Sequence, residues 1–300
     1  MEKKAVFSMT EGSPSRLLLK FTIPMLIGNL FQQFYNMVDS IVVGRFVGSN
    51  ALAAVGATGS LNFLFFAMSF GISAGVGVVV SQYFGADRMD MVEKSIINGL
   101  YLLAAVSFLM GFIGIATARW VLVALDTPQI ILEDAVIYMR VSCAGILAIA
   151  AYNGVASVLR ALGDSKTPLY FMVVACFINI GLDLLFVIVF QWSVFGVALA
   201  TVIAQLTAAA GAFAYALYKI PYFHIKRENR SVRKDIISRC FTLGLPIALQ
   251  NALIAFSCIF LQKVVNGFGE NVFAANTALG RIDKLVQQPY NSLGEAITTN

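Results

Sequence analysis

Eight apolar runs follow one another through the chain, separated only by short polar breaks. They fall near residues 17–43, 51–80, 95–118, 131–158, 168–190, 195–219, 240–265 and 272–300. A helix of about 20 apolar residues crosses the hydrocarbon core of a bilayer, so each run reads as one transmembrane helix. Composition agrees: 59% of the residues are hydrophobic and 12% charged, about half the charged share of a soluble domain. Gly, Ala and Ser recur among Phe, Leu and Val, as close helix packing in lipid requires. The breaks, among them GRFVGSN, FGADRMDMVE, RALGDSKTP and NGFGEN, read as loops. The predicted fold is an all-α integral membrane protein, a polytopic helical bundle.

The first twenty residues are polar and charged, with no separate apolar core and cleavage site. No cleavable signal peptide is expected, and the first run serves as its own signal. The four cysteines stand singly in apolar runs without CxxC spacing, which predicts buried thiols and neither a disulfide framework nor a metal site. His224, the one histidine, lies in a basic loop and reads as solvated. Seven basic residues crowd Lys219–Arg239 between apolar runs. Such a cluster fixes topology and meets lipid headgroups. No nucleic-acid motif accompanies it, so no nucleic-acid partner is expected. With this segment, Lys3, Lys4, Arg88, Lys94, Arg160 and Lys166 on one side and Arg45, Arg119 and Lys263 on the other, the N-terminus is expected in the cytoplasm. The expected location is the cell (inner) membrane, as a multi-pass monomer.

An internal repeat appears when the seventh run is laid on the first. One offset separates Pro24 from Pro246 and Asn29 from Asn251. An offset one residue shorter relates GSNALAA (Gly48–Ala54) to GENVFAA (Gly269–Ala275) and Gly59 to Gly280. Six runs separate the copies, so both point the same way across the membrane, with substrate handled between them. The expected division is a six-helix N-terminal lobe over 1–218, a cytoplasmic basic linker over 219–238, and the start of a C-terminal lobe over 239–300. That second repeat is incomplete, and the chain is expected to be truncated after the eighth helix.

Polar residues inside the runs point to function. Asp39 lies some twenty residues into the first run, where insertion scales put the cost of a charge at roughly 2.5–3.5 kcal/mol. Asp183 lies deep in the fifth run, with Asn179 one helical turn earlier on the same face. Thr201 enters the sixth run, with Gln205 a turn deeper. Counting along alternating helices puts Asp39, Asn179, Asp183 and Thr201 at similar depth. Carboxylate, amide and hydroxyl oxygens suit a hard cation such as Na+, and the same carboxyls can carry protons. These two readings stay open, as does a purely structural role tying helices together. Gln32, Tyr35 and Asn153 are weaker candidates for a supporting polar network. Pro24 breaks the helical ladder fifteen residues before Asp39 and is a candidate hinge or a static kink.

The segments FTIPMLIGNLFQQFYNMVDSIVVGRFVG, ALAAVGATG, VLRALGDSKTP and NIGLDLLFV resemble the multidrug and toxic compound extrusion (MATE) family, nearest its DinF-like branch. The resemblance implies two six-helix lobes facing a central cavity. It also implies a secondary active exporter of small amphipathic or cationic molecules, in antiport against H+ or Na+, with no cofactor and no enzymatic activity. It sets Asp39, Asn179, Asp183 and Thr201 on the family's cation site, with Na+ as a candidate metal, Gln32, Tyr35 and Asn153 on the adjoining network, and Pro24 on the bending proline. Two departures stand out. Ala156 occupies a position where some members carry a second asparagine, and the seventh run lacks the intramembrane acid of another branch. The alternative is a flippase of lipid-linked or polyprenyl glycans with the same two-lobe plan. That reading wants a cationic cavity, and Arg140 is the only basic residue deep enough. No enzyme motif and no filter-like re-entrant segment is visible.

Overall fold

The computed structural model describes residues 14–224 and 227–266 and, beyond them, 279, 283, 286–290, 292–294 and 296–297. Through residue 266 the described residues form eight α-helices in order: α1 (Pro14–Val42), α2 (Ser49–Gly85), α3 (Met89–Ala124), α4 (Gln129–Ala144), α5 (Ile146–Ala161), α6 (Lys166–Leu184), α7 (Ser193–Lys219) and α8 (Lys234–Asn266). Five-residue π-helical turns close α1 at Val43–Val47 and α6 at Leu185–Val189. No strand occurs among the described residues. This is a polytopic helical membrane protein. The eighth expected run, 272–300, falls largely outside the described residues.

Helices α2, α3, α6 with its π turn, α7 and α8 are each long and apolar enough to span a bilayer, as is the pair α4–α5 taken together. The 29 residues of α1 are also long enough, though α1 is not in that set. Its Gln32, Gln33, Tyr35, Asn36 and Asp39 interrupt what is otherwise an apolar helix. The fourth expected run, 131–158, is not one straight helix: α4 and α5 meet at a 41° bend at Gly145. Val202 of α7 presses on Gly145 where any Cβ would stand, and glycine is a usual site of such kinks.

Packing makes one bundle. α2 lies against α3, α4, α5 and α8, while α1 packs on α6, α6 on α7, and α7 on α4 and α5. The largest apolar cluster joins α2, α3, α5 and α7 and takes in Ile236 and Cys240 from the first turns of α8. The α2–α8 seam is close enough for backbones to touch. A Cβ on Gly71 would land on the Ala248 backbone, and one on Gly75 would lie 2.5 Å from the Cys240 carbonyl oxygen and 2.6 Å from the Gly244 nitrogen. Small residues are what let membrane helices approach so far.

The repeat has a counterpart in these contacts. The Asn29 amide donates to the Ser292 hydroxyl at 3.1 Å, and Phe21 and Met25 pack on Ala296. Ser292 and Ala296 lie from Gly71 and Gly75 at the offset that relates Gly59 to Gly280. So α1 meets Ser292 and Ala296 at positions offset by one spacing from the α2 residues that meet α8.

The basic segment before α8 is docked on the bundle. Asn98 of α3, fully buried, accepts from the Arg233 backbone N–H at 2.7 Å and donates to the Ser231 carbonyl at 3.2 Å. The Asn229 amide donates to Glu93 at 2.7 Å, and Arg239 donates to Gln82 and Tyr83 at the end of α2.

Candidate functional site

Helices α1, α6 and α7 converge on a set of buried oxygens. The start of α6 is set by Asp164, whose carboxylate accepts from the backbone N–H groups of Lys166 and Thr167 at 3.1 and 3.0 Å and from the Thr167 hydroxyl at 2.6 Å. This caps donors that the first helical turn leaves unpaired. From that start α6 carries Asn179 and Asp183 one turn apart on the face toward α1 and α7. The Tyr152 hydroxyl of α5 donates to the Pro168 carbonyl at 2.9 Å and fixes α6 from behind.

Asp39 is 6% exposed, Asn179 1% and Asp183 0%. The two carboxyl groups are near neighbours across the packing of α1 on α6. The Thr201 hydroxyl sits 3.4 Å from Asp39 Oδ2 and 3.1 Å from the Val197 carbonyl oxygen, and its single proton can serve only one of them. The Asn179 amide reaches Thr201 at 3.5 Å. These bonds are long, near the limit of useful geometry. Meanwhile Asp39 Oδ1, Asn179 Oδ1 and both oxygens of Asp183 are buried with no partner. Two neighbouring carboxylates away from water repel each other, and either a proton on one or a cation between them relieves the repulsion. The arrangement is therefore a cluster of buried carboxyl, amide and hydroxyl oxygens contributed by α1, α6 and α7, most of them without a donor. Among the described residues no group of three or more His, Cys, Asp and Glu is placed to hold a metal ion.

The other sequence-derived candidates divide. Tyr35, 5% exposed, sits one turn before Asp39, accepts from the Gln205 amide at 3.1 Å, and has Gln32 beside its hydroxyl. Asn153 turns its amide onto its own helix, to the Ile149 carbonyl at 2.8 Å. Ala156, fully buried, packs in the apolar cluster around Tyr35 and Tyr152. Pro24 is buried within a continuous α1.

Two features escaped sequence reading. Tyr138 of α4 stands close enough to feel both carboxylates and packs on the apolar cluster that includes Val42, Val43 and Val187. A tyrosine in an apolar run gives no signal, because its ring is as much at home in a core as at a site. The π turns directly follow the two acid-bearing stretches, Val43 four residues after Asp39 and Leu185 two after Asp183. Such turns recur at functional sites, yet α and π backbones share one hydrophobic pattern.

A family model described as MatE matches residues 24–185. The probable multidrug resistance protein YpnP of Bacillus subtilis is 29% identical over 294 residues, covering 98% of this chain and 65% of its own length. A MOP superfamily transporter from Pyrococcus furiosus, described as having a binding pocket of reverse polarity that suggests a different function, superposes with a TM-score of 0.91 at 26% identity, over 100% of this chain and 66% of that one. A MATE structure in the bent conformation superposes with a TM-score of 0.88 at 26% identity, over 100% of this chain and 67% of that one. The chain thus spans about two thirds of the length of the proteins it resembles.

Proposed function

This chain belongs to the MatE family, and on that premise we propose that it exports small amphipathic or cationic molecules by antiport against H+ or Na+. The observation that carries the reading is the nearness of Asp39 and Asp183 in a buried cluster where four oxygens, three of them from the two acids and one from Asn179, have no hydrogen-bond partner. The relative named a probable multidrug resistance protein supports the substrate class. In this reading the N-terminus and the basic segment before α8 lie in the cytoplasm, and the protein works as a monomer in the cell membrane. Residues 1–218 form the lobe that holds the cation, and 239–300 belong to the lobe across the cavity. A proton or Na+ arriving from outside by way of the cavity between the lobes neutralises the acid pair. Neutralisation lets α1 change its path, with Pro24 as the point of weakness, and the site's grip on exported cargo is released outward.

The test is efflux of a cationic dye from cells expressing the protein, under proton and sodium gradients imposed one at a time. One gradient is expected to drive efflux and the other to leave it at the level of cells lacking the protein. Equal efflux with both gradients collapsed would rule out antiport.

A further inference from the structure

Asp39 of α1 meets Thr201 of α7, and one turn further along both helices Tyr35 meets Gln205. The two contacts are rungs of one ladder, each member four residues from its counterpart on the same helix face. The second rung is half made. Gln205 is 3% exposed and spends its amide N–H on Tyr35, but its Oε1 is buried with no partner. An orphaned buried carbonyl is costly, and a leucine of nearly the same size would avoid that cost. Asn179 Oδ1, equally buried, is orphaned as well. Polar oxygens therefore continue from the acid pair toward the Pro24 end of α1.

The opposite direction is closed. One turn beyond Asp39, Asp183 and Thr201 on their own helices stand Val43, Val187 and Val197, at 0%, 5% and 0% exposure. They form one apolar cluster with Val42, Val194 and Ala51. A bare cation crosses such a constriction only with its hydration stripped, which is how apolar gates exclude ions.

We infer that the coupling cation reaches and leaves the acid pair past the Tyr35–Gln205 rung, with Gln205 Oε1 as a ligand in transit, while the valine cluster seals the other end. This rests on the cation-coupling reading above. Gln205 is neutral, so it holds a passing cation without trapping it. Its N–H bond to Tyr35 aims the carbonyl oxygen away from the phenol. The rung thus gives the pocket a single mouth.

The experiment follows cation exchange on the purified protein in detergent. Radioactive sodium is followed by rapid filtration and proton uptake by an indicator dye after a pH jump, and Asp39→Asn identifies the signal due to the site. Gln205→Leu is expected to slow association and dissociation together by about tenfold, the worth of one lost oxygen contact to a charge. The equilibrium affinity should stay within about twofold, since the acids are untouched and a tenfold rate corresponds to ~1.4 kcal/mol in the barrier alone. Gln205→Asn, which keeps the amide but draws it back, should exchange at a rate between the two. Val43→Thr and Val197→Thr, which add a hydroxyl to the sealed end, should leave the rate unchanged. A structural role for Gln205 would instead lower affinity and melting temperature with no matched slowing in both directions. Wild-type rates in Gln205→Leu, or acceleration by the valine variants, would overturn the inference while leaving cation coupling in place. Binding indifferent to Asp39→Asn would remove both.

Discussion

Replacing Asp39 by Asn is expected to abolish cation-driven efflux while leaving the protein inserted and folded. The substitution keeps the shape of the side chain, and its amide oxygen can still accept from Thr201. What it removes is one of two charges that face a shared cation. At an effective dielectric of about 20, a charge 4 Å away is worth ~4 kcal/mol, so affinity should fall by roughly a thousandfold. Stability should move little or rise, because the variant removes one of two neighbouring buried acids. Dye efflux measured beside thermal unfolding separates the two effects. Intact efflux would end Asp39's role in coupling, and lost efflux with a collapsed melting temperature would make the residue structural.

The second large effect is expected at the α2–α8 seam. Gly75→Leu drives a side chain into the backbone of α8 at Cys240 and Gly244. Overpacking a core ordinarily costs about 1–3 kcal/mol. Here the obstacle is main chain and cannot turn aside, so the helices must part. Cys240 reports the parting, since it is fully buried in the seam. In Gly75→Leu its thiol should become reactive to a maleimide in detergent, and the melting temperature should drop. Gly59→Leu on the same helix meets open space and should leave Cys240 protected. Protection in both variants would mean that the seam is not a tight contact.

The contrast between these two sites shows what hydropathy makes visible. Asp39, Asn179, Asp183 and Thr201 each stood out as a polar residue in an apolar run, where burial of an unpaired group is costly. Antiparallel counting then set them at one depth, and the structure brings all four together. Gly75 gave no comparable sign, because 24 glycines are spread through the chain and most look alike in sequence. Gly145 was lost in the same way, and with it the bend that divides the fourth run into α4 and α5. Asn153 was flagged by the logic that found Asp39, but an amide near its own helix carbonyls can be satisfied locally. Tyr138 and the π turns lie beyond pattern reading for the opposite reason, since nothing in an apolar alphabet marks them. The docking of the basic segment on Asn98 was hidden as well. Positive charge located that segment on one side of the membrane and said nothing of what it rests on.

All of this depends on two acids from distant parts of the chain holding one positive charge between them. Equilibrium binding on the purified protein tests that most directly, counting sodium ions or protons bound per chain in the wild type, Asp39→Asn and Asp183→Asn. The expected result is one cation per chain in the wild type and none at the same concentration in either variant. Two cations in the wild type, or undiminished binding in either single variant, would contradict a shared site.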